Sequence, residues 1–156
     1  MLIQPNWEEW KTWLSLLYSL IKKIADHYSE ESSDIIMVPA MNGGMVPSGI
    51  IAGELGIKDV RPVSIGREGE IRFFIWPEDG NIGDIRRRRV LIVEDDVRQG
   101  GRSPKFLREA LMQRGAAEVL VACIFKYKDS AVDFFAEEVD IVPKHPWKPA
   151  NPGDRK

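Results

Sequence analysis

The chain has 156 residues, 44% of them hydrophobic, enough for one substantial core and too few for two ordinary domains, so a single domain over 1–156 is expected. Its 22 basic and 24 acidic residues are interspersed and leave a formal charge of −2, which excludes the single-signed field that would recruit nucleic acid or a membrane surface. No stretch approaches the roughly 20 apolar residues of a membrane span, Glu8 and Glu9 stand where a secretory leader would be basic, and the lone Cys123 has no internal disulfide partner. The expectation is a soluble cytoplasmic protein with no nucleic-acid and no membrane partner.

Asn6 and Glu9 form a capping pair, and Trp10, Trp13, Leu14, Leu17, Leu20, Ile21 and Ile24 recur at helical spacing, predicting an amphipathic first helix. Asp34 to Pro39 reads as a short strand that enters the small-residue turn Ala40-Met41-Asn42-Gly43-Gly44, followed by a helix from Val46 to Leu55 that stops at Gly56. Val60–Ile65 and Glu70–Trp76 read as strands, and the polar stretches Gly66 to Gly69 and Glu78 to Asp84 predict an exposed hairpin or mobile loop.

Val90-Leu91-Ile92-Val93 has the continuous branched character of a parallel strand buried on both faces; an acidic and glycine-bearing loop and a helix from Pro104 to Arg114, ended by Gly115, come after it. Val119 to Phe125 is a further buried strand, with Cys123 as apolar filler, and the tail through Phe134 and Asp140 to Trp147 is a mixture of short apolar pieces and prolines. His27 and His145 form no ligand-spaced pair, so surface or helix-end roles are expected for both. Strands alternating with helices define an α/β fold, a central mainly parallel sheet flanked by helices, whose ligands bind beyond the carboxyl ends of strands.

Glu94-Asp95-Asp96-Val97-Arg98-Gln99-Gly100-Gly101-Arg102-Ser103 continues from such a strand. Adjacent carboxylates repel and need hydroxyl, cation or metal partners. Gly100 and Gly101 allow successive N–H groups to converge on an anion. Ser103 offers a hydroxyl and a cap for the next helix, whose N-terminus itself favours phosphate. Carboxylates for hydroxyls at one end and amides for phosphate at the other match the two ends of a ribose 5-phosphate.

This segment resembles the phosphoribosyl pyrophosphate signature of type I phosphoribosyltransferases. The resemblance implies that Asp95 and Asp96 contact the ribose 2′- and 3′-hydroxyls near a Mg²⁺ held largely by the substrate, whether directly or through substrate and water. It further implies that Glu94, Val97, Arg98, Gln99, Gly100, Gly101, Arg102 and Ser103 complete the ribose and 5′-phosphate site, with Asp95, Asp96 and Gln99 as the catalytic group. Gly43-Gly44, Val46-Pro47 and Leu55-Gly56-Ile57 are similar to the family's first loop, which makes Met41, Asn42, Gly43 and Gly44 the pyrophosphate-binding residues, in relatives often through an unusual peptide. Asp133 to Val139 with Pro146-Trp147 is similar to the C-terminal hood of the xanthine-guanine and hypoxanthine enzymes, here mainly 126–148. Lys126 or Lys128, with Val142 and Trp147, would then contact the base, and a homodimer is implied.

The chain departs from that pattern at three positions: Asn42 replaces a basic residue, Gln99 an aspartate near the base, and Val142 a stacking tryptophan. Arg67 or the Arg86 to Arg89 run is a candidate to supply the charge missing at Asn42, and the run reads also as a solvated turn. Glutamine does no acid–base work near neutral pH. The expected activity is Mg²⁺-dependent transfer of phosphoribose from its pyrophosphate to a purine-like nucleobase; the alternative is a catalytically weak or silent regulator that binds phosphoribosyl pyrophosphate or a nucleotide. A receiver domain, to which the acidic strand end is also similar, is excluded by the 60 residues left after Asp96.

Overall fold

The computed structural model describes residues 6–28, 34–65, 71–73 and 85–147, with backbone alone at 71–73. Arg67, the stretch Gly66 to Gly69, the loop Glu78 to Asp84 and the chain beyond Trp147 lie outside the described residues.

Helix α1 (Trp7–Tyr28) starts where Asn6 Oδ1 accepts the backbone N–H groups of Glu8 and Glu9, at 3.2 and 3.5 Å. Its buried stripe, Trp13, Leu17, Leu20, Ile21, Ile24 and Tyr28, is the predicted face carried one turn further. Strand β1 (Ile35–Pro39) leads into helix α2 (Met45–Leu55), in which Pro47 falls in the first turn and removes no intrahelical hydrogen bond.

The expected Val60–Ile65 strand is two. Strand β2 (Asp59–Val60) pairs in parallel with β1, whereas β3 (Val63–Ile65) pairs antiparallel with β4 (Ile71–Phe73). Pro62 separates them, since it has no N–H to continue a ladder.

Strand β5 (Arg89–Val97) runs through the acidic residues that sequence placed in a loop. The ten residues of β6 (Glu118–Tyr127) supply the ladder, with Glu94 opposite Cys123 and Asp96 opposite Phe125. Strand β7 (Phe134–Val139), expected as irregular tail, pairs in parallel with β6. It is an edge strand with exposed Glu137 and Glu138, so it lacks the continuous apolar run of an interior strand.

The five-stranded sheet has the order β2-β1-β5-β6-β7, parallel throughout. Leu91 and Val93 pack with α1, α2, Ile35 and Met37 on one face; Val90 and Ile92 pack on the other with Ile36, Val38 and Leu107 and Leu111 of helix α3 (Arg102–Gln113). Burial on both faces is why β1 and β5 are apolar without alternation. No helix among the described residues is long and apolar enough to cross a membrane.

The Arg86 to Arg89 run sits at the amino end of β5. Arg88 Nε donates to Asp34 O at 3.2 Å, and the Arg89 guanidinium lies 5.4 Å from the Tyr28 ring centroid. At about 3.3 Å per strand residue, the run is a whole strand length from Asp96 and does not replace the charge missing at Asn42. Leu91 is fully buried at the centre of the sheet; Leu91→Ala should cost about 2–5 kcal/mol in denaturant unfolding, while Trp7→Ala, at an exposed position, should stay within about 0.5 kcal/mol.

Candidate functional site

The carboxyl ends of β1 and β5 lie side by side, with Pro39 opposite Val93, so the turns leaving them meet. Ala40 N–H donates to Val93 O at 2.9 Å, and the chain folds so tightly onto β5 that a Cβ on Gly44 would stand 2.1 Å from that same carbonyl oxygen. A Cβ on Gly43 would stand 2.2 Å from Asp95 Oδ1. Gly44 is therefore required by space against backbone, whereas a side chain at Gly43 would displace the Asp95 carboxylate. The Met41–Asn42 peptide between β1 and these glycines is cis.

After Val97 the chain makes a single 3₁₀ turn, Gln99–Gly101, and enters α3 at Arg102. Gly100 and Gly101 have φ of 76° and 52°, left-handed values that glycine adopts without steric cost. The Gly101 N–H closes the turn onto Arg98 O at 2.9 Å. The N-cap of α3 is Gly101, with no side-chain cap. Ser103, expected as that cap, is inside the first turn instead, and Pro104 beside it has no N–H to lose where none is needed.

Between the two turns lies a cavity of about 410 Å³, lined by Met41, Gly43, Glu94, Asp95, Asp96, Val97, Arg98, Gln99, Gly101, Arg102, Ser103 and Pro104. The expected phosphate and pyrophosphate segments thus border one space, with the amino end of α3, where backbone N–H groups have no intrahelical acceptor, at its wall.

The three carboxylates differ. Asp95 is buried, its Oδ1 accepting the Asp96 N–H at 2.8 Å. Asp96 Oδ2 lies 3.0 Å from His145 Nε2, and its Oδ1 lies 3.6 Å from Arg98 Nε. Glu94 is half-buried in the cavity wall. Burial, reinforced by Glu94 and Asp96, pushes the neighbouring Cys123 thiol well above its ordinary range, so it stays protonated filler.

His145 was missed. Expected at the surface or a helix end, it is 2% exposed, 3.5 Å from Asp95 Oδ2 as well as 3.0 Å from Asp96, and its ring packs on Phe125 and Trp147. The signal was spatial: 49 residues separate His145 from Asp96.

None of the four expected base contacts lines this cavity. Lys126 pairs with Glu138 at 3.0 Å and lies over the Phe135 ring; Lys128 is exposed and pairs with Asp140. Trp147 packs edge-on against Trp13, centroids 4.2 Å apart, and Val142 is half-buried against the same core. Of the hood expected over 126–148, Phe134–Val139 belongs to the main sheet and 140–147 is irregular chain returning to the acidic strand end. A second cavity, of about 370 Å³, lies between that chain and α1, lined in part by Trp13, Phe125, Glu137 and Pro143.

The donor set suits a hard divalent cation approached through oxygen, as Mg²⁺ requires. One ligand atom each from Asp95, Asp96 and His145 lie within 4.8 Å of one another. The imidazole already takes up Asp96, which favours indirect contact through substrate and water.

No protein-family model matches the sequence, and no curated protein matches it. Among solved structures, a purine phosphoribosyltransferase from Pyrococcus horikoshii Ot3 superposes with a TM-score of 0.72 at 18% identity, covering 88% of this chain and 92% of that one. A hypoxanthine phosphoribosyltransferase from Staphylococcus aureus gives 0.64 at 14% identity, covering 82% and 76%. At such identities the likeness establishes the architecture, and the chain has the type I phosphoribosyltransferase fold.

The tight contact between the two turns has a direct consequence. Gly44→Ala should lower stability by about 1–3 kcal/mol through overpacking against the Val93 carbonyl, read by thermal unfolding, whereas Gly53→Ala, where a Cβ meets nothing within 4 Å, should be neutral or stabilising.

Proposed function

We propose that the chain is a phosphoribosyltransferase that binds phosphoribosyl pyrophosphate in the cavity between the two turns and transfers its phosphoribose to a purine-like nucleobase, releasing pyrophosphate. The observation that carries this is the joint lining of one cavity by Met41 and Gly43 on one side and by Glu94 to Ser103 on the other. The Gln99 to Ser103 segment takes the 5′-phosphate on backbone N–H groups and the α3 amino end, with Arg102 beside it. Met41 to Gly44 takes the pyrophosphate.

Glu94 and Asp95 take the ribose hydroxyls. Asp96, expected in that role, has its oxygens turned to His145 and Arg98, which supports moving the hydroxyl contact one residue back along β5. Glu94 and Asp95 would hold Mg²⁺ largely through substrate and water, and the ion would supply charge neutralisation for the leaving pyrophosphate.

In the reaction a ring nitrogen of the base forms a bond to the anomeric carbon from the face opposite the leaving group. The bond to pyrophosphate breaks, its electrons leave with the pyrophosphate oxygen, and the anomeric centre inverts. The side chains of 99–103 include no general base, Glu94 and Asp95 are taken by the pentose hydroxyls and Asp96 by His145 and Arg98, so the proton from the base passes to water. The protein contributes position and charge. Tail and hood residues Lys126, Lys128, Val142 and Trp147 would act on the base only from beyond the cavity wall. The enzyme is proposed to act as a cytoplasmic homodimer.

Gln99 and Asn42 favour a second reading, a binder of phosphoribosyl pyrophosphate with little or no turnover. A panel of hypoxanthine, guanine, xanthine, adenine, orotate and uracil with Mg²⁺ separates the two: pyrophosphate release is expected with a purine, and binding without release from any base supports the silent binder. In calorimetry, Glu94→Gln with Asp95→Asn should weaken phosphoribosyl pyrophosphate binding at least tenfold, since a hydrogen bond to a charged group contributes about 1.5–3 kcal/mol; unchanged affinity would remove the proposal.

A further inference from the structure

Two carboxylates side by side and largely out of water require a partner that holds them in one arrangement. Here that partner comes from the irregular chain after β7: the side chains of Asp95, Asp96 and His145 are 4%, 7% and 2% exposed. An ionised carboxylate only accepts, so His145 Nε2 donates to Asp96 Oδ2 at 3.0 Å and lies 3.5 Å from Asp95 Oδ2. The other face of the imidazole belongs to the aromatic wall, its ring centroid 5.7 Å from Phe125 and 4.6 Å from Trp147. Trp147 is in turn wedged against Trp13 of α1. Asp96 lines the first cavity and Phe125 the second, so the imidazole touches one lining residue of each.

We infer that His145 is a positioning residue for the pentose site: by holding Asp96 it fixes the acidic strand end in the form that accepts the pentose hydroxyls, and it ties the seating of residues 140–147 to that site. The inference rests on the proposal that the cavity takes phosphoribosyl pyrophosphate. Ring contacts alone would hold the tail without aiming a donor at Asp96. Leucine in place of His145 would fill the aromatic niche and remove that donor, whereas glutamine carries an amide to about the reach of Nε2 and asparagine falls short of it.

The test is calorimetry with phosphoribosyl pyrophosphate and Mg²⁺ on the full chain and on four variants, His145→Leu, His145→Gln, Asp96→Ala and the double variant that combines His145→Leu with Asp96→Ala, each checked for native circular dichroism. His145→Leu should lose tenfold or more in affinity, and His145→Gln should stay within threefold of the unaltered chain. The double variant should be no worse than Asp96→Ala alone, because residues acting through one contact are not additive. Additive losses, or full affinity in His145→Leu, overturn the inference and leave the proposed function standing. Failure of the unaltered chain to bind overturns the proposed function, and this inference with it. Should His145→Leu not fold, His145→Gln against His145→Asn decides: retention by glutamine and loss by asparagine support the positioning role, and equal affinities overturn it.

Discussion

The packing of Gly44 onto the carbonyl of Val93 is the constraint on which the rest of the site depends. Strands β1 and β5 are parallel neighbours, so their carboxyl ends emerge together. Beyond those ends the chain is free to diverge unless something draws the two turns into contact. The Ala40 N–H on Val93 O, with glycine where any side chain would strike backbone, draws them in. That contact places Gly43 against Asp95 and leaves a cavity whose two walls come from segments about fifty residues apart in sequence. A parallel sheet covered on both faces supplies the rigidity that such a contact needs.

Much of this was legible in the residues. The unalternating apolar runs of β1 and β5 announced a two-faced parallel sheet, and Gly43-Gly44 and Gly100-Gly101 marked turns whose backbone had to do something unusual. Other features were not legible, each for a physical reason. The carboxylates Glu94, Asp95 and Asp96 looked like loop residues because charge seldom continues a buried strand, yet β6 is long enough to pair with them. Strand β7 was hidden by its edge position, where Glu137 and Glu138 face outward. His145 carries no local pattern at all; only the path of the chain after β7 brings it to Asp96.

Under the proposed function the same geometry redistributes roles that the motif alone assigns. Asp96 has both oxygens turned to side chains of its own chain, His145 and Arg98, while Glu94 keeps a place in the cavity wall. The basic run before β5 serves the far end of the sheet, with Arg88 on Asp34 and Arg89 over Tyr28. Positive charge beside the cavity comes instead from Arg98 and Arg102 and from the first turn of α3. Trp147, with Trp10 and Trp13, forms an aromatic cluster that seats the tail against α1.

Amide spectra of the ¹⁵N-labelled chain titrated with ribose 5-phosphate isolate the grip of the two turns on a phosphorylated pentose, because this ligand carries only the pentose hydroxyls and the phosphate. Saturable shifts are expected at Gln99, Gly100, Arg102 and Ser103 together with Glu94 and Asp95. Saturable shifts confined to other parts of the chain, or none at millimolar ligand, would contradict that grip.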